Sequence, residues 1–136
     1  MHRLSYSKVN NIHLYDDSYN SNLVGFKNSI EVLKNTPYYK IIITPGIVDC
    51  GKESFKINQE IATAIKDVFN EIYLIDNDSA QIIKDTLIKE SVMPYLKNSF
   101  KEAYREITNK YPEKEIALLI ANDLPDNYLM RKGKNK

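Results

Sequence analysis

The densest chemistry-bearing stretch of this chain is Asp16-Asp17-Ser18-Tyr19-Asn20-Ser21-Asn22. Its two adjacent carboxylates stand between a short β-like run, Ile12-His13-Leu14-Tyr15, and an amphipathic stretch beginning at Leu23. A carboxylate at such a junction can accept both hydroxyls of a ribose. An aromatic such as Tyr19 can lie against a base, and the amino end of the following helix favours anions. The same residues also make an ordinary strand-to-helix turn, because Asp, Ser and Asn side chains bond to nearby backbone. On residue chemistry alone the turn has the edge. Two further polar segments carry candidate groups. Thr44-Pro45-Gly46-Ile47-Val48-Asp49-Cys50-Gly51 has glycines that permit close backbone approach, yet a Gly-x-x-x-x-Gly-Lys-Ser/Thr phosphate loop appears nowhere. Ala121-Asn122-Asp123-Leu124-Pro125-Asp126-Asn127-Tyr128 is acidic and stiffened by Pro125. It suits a cation or an ammonium group, or else is a surface turn.

Other chemistries find little support. His2 and His13 have no paired ligand at a useful spacing for zinc. Cys50 is the single cysteine, so no intrachain disulfide forms, and with no histidine near it in sequence it reads as an ordinary thiol. The net charge of +1 creates no global field toward nucleic acid or an anionic membrane. The ten tyrosines form no stacking platform beside a basic groove. No apolar run approaches the roughly 18 residues of a membrane span, and the amino terminus lacks a signal-peptide apolar region. These features predict a soluble, cytoplasmic protein with neither nucleic-acid nor membrane partners. Arg131, Lys132, Lys134 and Lys136 crowd the last residues, where a solvated, frayed tail is expected.

The candidate residues need a scaffold, and the apolar pattern describes one. Leu23, Phe26, Ile30 and Leu33 recur at helical spacing, with Asn22 or Ser21 as cap and Pro37 past the end. Lys40-Ile41-Ile42-Ile43-Thr44 is apolar on both parities, as an inner strand covered on both faces must be. A helix is expected over 53–70, a strand over 71–75, and a helix capped by Asp78 or Ser79 through about Lys89. A weaker strand is expected over 92–96, with Pro94 suited to an edge. Ser99 and Glu102 form a capping box for the next helix, and 115–120 is the last strand. Alternating strands and helices predict an α/β fold: a three-layer, Rossmann-like domain whose mostly parallel sheet carries helices on both faces. Residues 1–128 are expected to form that domain and 129–136 a basic, disordered tail. Ligands of such sheets bind at the carboxyl ends of the strands, where the three polar segments should converge.

The residues His2-Arg3-Leu4, followed by Asp16-Asp17-Ser18-Tyr19-Asn20-Ser21-Asn22 after a short strand, resemble the opening of the C-terminal domain of Mur ligases. The nearest branch is the UDP-N-acetylmuramoyl-tripeptide–D-alanyl-D-alanine ligases, where an Asp-Asp-Ser-Tyr-Asn-Ala-Asn run is typical. The resemblance implies one domain of an ATP- and Mg2+-dependent enzyme of peptidoglycan precursor synthesis, inactive without its central ATPase domain and holding no cofactor alone. Its partners would be the N-terminal and central domains, the UDP-muramoyl substrate, and the incoming amino acid or dipeptide. By resemblance Arg3, Asp17, Tyr19 and Asn20 would contact the nucleotide, Asp17 through the ribose hydroxyls, and Asn22, Asn122, Asp123 and Asp126 the substrate. No catalytic residue and no metal ligand would lie in this chain. The reaction would activate a carboxylate as an acyl phosphate, which an amine then attacks to form an amide. Two segments depart from the branch pattern. Thr44 to Gly51 replaces a Gly-Asp-Met…Glu-Leu-Gly stretch, and Asn122-Asp123-Leu124-Pro125-Asp126 replaces Lys-Gly-Ser-Arg. The latter resembles a less familiar branch, some of whose members use other amino acceptors. A different class of function is a stand-alone Rossmann-type module that binds a nucleotide or a partner without catalysis.

Overall fold

A computed structural model describes residues 4–18, 22–48 and 51–121. Its centre is β3 (Tyr39–Thr44), where Ile41, Ile42 and Ile43 are all fully buried, as a β-branched run covered on both faces requires. β3 lies between β6 (Ile116–Ala121) and β4 (Glu71–Ile75). β2 (Ile12–Asp17) extends the sheet beyond β6, and β5 (Tyr95–Lys97) beyond β4, with every one of these pairs parallel. β1 (Ser5–Val9) closes the β2 side as an antiparallel edge, giving the order β1-β2-β6-β3-β4-β5.

Strand parity sorts the helices into layers. α1 (Leu23–Lys34), α2 (Ser54–Ile65) and α3 (Asp78–Lys89) set Phe26, Leu33, Ile61, Ile65, Ile83 and Leu87 against Ile42, Ile72, Leu74 and Leu119. α4 (Phe100–Lys110) sets Phe100, Ala103 and Ile107 against Ile41, Ile43, Tyr73 and Ile120 on the opposite face. Each fully buried Leu, Ile or Phe contributes about 1.5–3 kcal/mol, so the two cores hold the layers without a disulfide. The three-layer, Rossmann-like α/β fold is therefore observed, with three helices on one face and one on the other. No described helix is long and apolar enough to cross a membrane.

Several boundaries differ from the sequence expectation. β1 was not foreseen. All five of its residues are exposed, so it lacks the alternation that marks a half-buried strand. It is joined to β2 by Asn10-Asn11, where Asn10 takes a φ of 56° that Asn tolerates better than most residues. α2 stops at Ile65 rather than Asn70, because Asn70 is tied to β3. Its backbone N–H donates to the Lys40 carbonyl (2.7 Å), and its Oδ1 accepts from the Lys40 N–H (2.8 Å). β5 begins after Pro94 instead of containing it, which spares the ladder a residue without an N–H. The helix expected to be capped by Asp78 or Ser79 is capped by Asn77, whose side chain accepts from the Ser79 and Ala80 amides. Ser99 accepts from Glu102 N–H as expected, but the Glu102 carboxylate accepts from Asn98 N–H and not from Ser99.

Candidate functional site

At the carboxyl edge of the sheet three neighbouring parallel strands end together. Asp17 of β2 is in register with Ala121 of β6, and Ile120 with Ile43 of β3, one residue before Thr44. The described starts of all three polar segments therefore meet at one edge, as parallel α/β topology demands of a ligand site.

Asp17 is 4% exposed, and the buried Ser29 hydroxyl of α1 donates to its Oδ2 at 2.6 Å. Asp16 is more open, and its Oδ1 accepts from the Ser18 N–H at 3.0 Å, closing a small turn. Ser18 is 3% exposed, and its hydroxyl oxygen is buried without a hydrogen-bond partner. A buried hydroxyl left in that state costs about 1–3 kcal/mol. Asn22 caps α1: its side chain accepts from Gly25 N–H at 2.8 Å and its carbonyl from Phe26 N–H at 3.1 Å.

The next loop is clamped from beneath. Asn58 of α2 is fully buried; its Oδ1 accepts from Ile47 N–H and its Nδ2 donates to the carbonyls of Ile47 and Ser54. The Ser79 hydroxyl also donates to the Ile47 carbonyl at 3.1 Å, and Asn77 Nδ2 donates to the Pro45 carbonyl at 3.0 Å. Thr44 Oγ1 accepts from Gly46 N–H. Gly46 has a φ of +83°, and a Cβ there would fall 2.7 Å from Asn58 Oδ1. The start of the β3–α2 loop is thus held in a fixed shape at the carboxyl edge by side chains of two helices.

The opposite end of the sheet holds its own polar cluster. Glu71, the first residue of β4, accepts from Tyr39, Tyr73 and Tyr111 hydroxyls and from Lys110, which also lies 4.4 Å from the Tyr95 ring centre. Burial works to raise the Glu71 pKa, but the hydrogen bonds from Tyr111, Tyr39, Lys110 and Tyr73 outweigh it and leave it below the ordinary value. At the start of β2 the buried His13 stacks on Tyr38 (ring centres 3.9 Å apart), meets the Tyr6 hydroxyl at 2.8 Å and reaches Glu115 at 2.6 Å. Both clusters tie elements together at the amino ends of strands. A shallow groove lined by Glu102, Arg105, Glu106, Asn109 and Lys110 belongs to α4 alone. Among the described residues no three His, Cys, Asp or Glu side chains gather as a metal site.

Of the residues singled out from the sequence, Asp17 and Asn22 stand at this carboxyl edge. Arg3, Tyr19, Asn20, Asn122, Asp123 and Asp126 lie outside the described residues, as does Cys50. Sequence reasoning missed Ser29 and Asn58, although both carry a signal. Ser29 lies three residues after Phe26 and four before Leu33, and Asn58 three before Ile61, so each interrupts a buried apolar stripe with a polar side chain.

Comparison with known proteins gives a consistent picture. No family model matches the chain. A UDP-N-acetylmuramoyl-tripeptide–D-alanyl-D-alanine ligase of Buchnera aphidicola is 36% identical over 94 residues, which cover 64% of this chain and 21% of that protein. The chain thus spans about a fifth of the curated relative it matches. The MurF ligase of Thermotoga maritima, solved in complex with ADP, superposes with a TM-score of 0.72 at 18% identity, over 87% of this chain and 26% of that one. MurF of Acinetobacter baumannii superposes with a TM-score of 0.76 at 17% identity, over 98% of this chain and 30% of that one. At these identities the two superpositions establish a shared fold.

Proposed function

We propose that this chain, recognised by sequence and fold as a Mur ligase C-terminal domain, contacts the nucleotide and the incoming amino acid or dipeptide of an ATP-dependent amide ligase of peptidoglycan precursor synthesis. The observation that carries the reading is Asp17, a carboxylate at the end of β2 on the edge where β2, β6 and β3 finish together. The neighbouring Ser18 hydroxyl, buried and unpartnered, fits a site that a ligand completes. ADP in the Thermotoga ligase supports the choice of nucleotide.

ATP supplies the activation of a carboxylate for attack by an amine, with Mg2+ at its phosphates. In this domain Asp17 accepts the ribose hydroxyls, with Arg3, Tyr19 and Asn20 on the nucleotide side. Asn22, Asn122, Asp123 and Asp126 face the amino substrate. The clamped Thr44–Val48 segment stands at the same carboxyl edge, past the end of β3. The machinery that turns ATP over lies in the central domain, so the isolated chain has no ligase activity. The work is cytoplasmic, where the nucleotide and the UDP-linked precursor are found.

The test is a ligation assay of the complete ligase carrying this domain. Asp17→Asn keeps the volume and removes the charged acceptor, so kcat/KM for ATP falls about 10- to 100-fold, the equivalent of about 1.5–3 kcal/mol. Wild-type kinetics in that variant remove the ribose role. An Asp16→Asn effect equal to it would shift the role to the neighbouring residue.

A further inference from the structure

We infer that Ser29 is a positioning residue: its hydroxyl fixes the plane of the Asp17 carboxylate so that the carboxylate meets a ribose diol in one orientation. The inference rests on the ribose role proposed for Asp17 and goes beyond it by naming the group that aims the carboxylate.

The geometry is specific. The Ser29 hydroxyl donates to Asp17 Oδ2 at 2.6 Å, the short distance expected of a hydroxyl bonded to a charged acceptor. Both residues are 4% exposed, so water does not compete for the bond. Asp17 ends a strand, and a carboxylate there turns about its terminal torsion, which is broad and nearly two-fold. The Ser29 hydroxyl on Oδ2 restricts that freedom. A diol asks for two acceptors in a set plane, so a fixed plane raises affinity for a ribose and lowers it for a sugar lacking one hydroxyl.

The residue type points the same way. Ser29 sits inside α1 on its buried stripe, between Phe26 and Leu33. Serine there is a poorer helix former than alanine by about 0.5 kcal/mol, and an apolar side chain would fill the core without a polar atom. A hydroxyl at this position is accounted for by its acceptor at the end of β2.

The experiment titrates the complete ligase carrying this chain with ADP and with 2′-deoxy-ADP, comparing wild type, Ser29→Ala and the near-isosteric Ser29→Cys, a weak donor. Thermal melts confirm folding of each variant. The readout is the ratio of the two dissociation constants, which a purely structural role would leave alone because both ligands would weaken together. Wild type is expected to prefer ADP about tenfold. Ser29→Ala brings the ratio toward one, and Ser29→Cys gives an intermediate value that carries the test if the alanine variant does not fold. A wild-type ratio kept in a folded Ser29 variant overturns the inference while leaving the ribose role of Asp17 standing. A ratio of one in the wild type overturns the ribose reading, and the inference with it.

Discussion

Asn58 holds Ile47 from both sides: its Oδ1 accepts the Ile47 N–H at 2.9 Å, and its Nδ2 donates to the Ile47 carbonyl at 3.1 Å. One buried amide side chain thereby serves both backbone groups of Ile47 past the end of β3. The expected cost of Asn58→Ala is about 1–3 kcal/mol, because the buried Ile47 N–H loses its Asn58 acceptor while the Ile47 carbonyl keeps the Ser79 hydroxyl. Urea unfolding should show a lower midpoint at unchanged slope. An unchanged midpoint would mean that the loop finds other partners.

The two glycines with positive φ in this loop should respond differently to alanine. At Gly46 a Cβ would lie 2.7 Å from Asn58 Oδ1 and 3.0 Å from Ile83 Cδ1, in a backbone at φ +83°. At Gly51 the φ is +59°, and among the described residues no atom beyond its chain neighbours lies within 4 Å of the added Cβ. Gly51→Ala should cost only the backbone penalty of about 1–2 kcal/mol. Gly46→Ala should cost clearly more, since the Asn58 clamp must also shift. Thermal melts of the two variants compare them directly, and equal shifts would contradict the close packing around Gly46.

Glu71 predicts an acid-side loss of stability. Its pKa is depressed in the fold despite burial, so its hydrogen bonds stabilise the native state at pH above the ordinary carboxylate value, about 4.3. That contribution is lost as pH falls through the lower folded pKa. Glu115, lowered by its hydrogen bond from His13, acts in the same direction. Glu71→Gln should lose about 1.5–3 kcal/mol near neutral pH, and its difference from wild type should shrink below about pH 4. A difference constant with pH would show that packing, and not the charge, is what Glu71 provides.

Asn77 ties helix to loop. Its Oδ1 accepts from two first-turn amides of α3, and its Nδ2 donates to the carbonyls of Pro45 and Ile75. Asn77→Ala should cost about 1–2 kcal/mol, more than Asp78→Ala on the exposed first turn. The reverse order in chemical denaturation would return the cap to Asp78.

What the sequence disclosed follows from how local each signal is. The inner strand at Ile41–Ile43 and the Ser99 cap announce themselves, because burial on both faces and a three-residue spacing are written in adjacent residues. Asn77, Asp78 and Ser79 are all good caps by type. The choice of Asn77 depends on the Pro45 carbonyl, 32 residues away in sequence. β1 escaped notice because its five residues are all exposed and its structure comes from pairing with β2. At the site, the Asp16–Asn22 motif and its place at a strand end were legible. The Ser29 contact was not, since it needs the distance between a helix face and a strand end.

The most direct measurement of the central claim is an NMR titration with ADP of the complete ligase carrying this domain, isotope-labelled in this chain only and followed at its backbone amides. The account predicts shifts concentrated at Asp17, Ser18, Thr44 to Val48 and Ala121, with little change at Glu71, Lys110 and Tyr111 at the opposite end. No response at millimolar nucleotide, or a response centred on the Glu71 end, would contradict it.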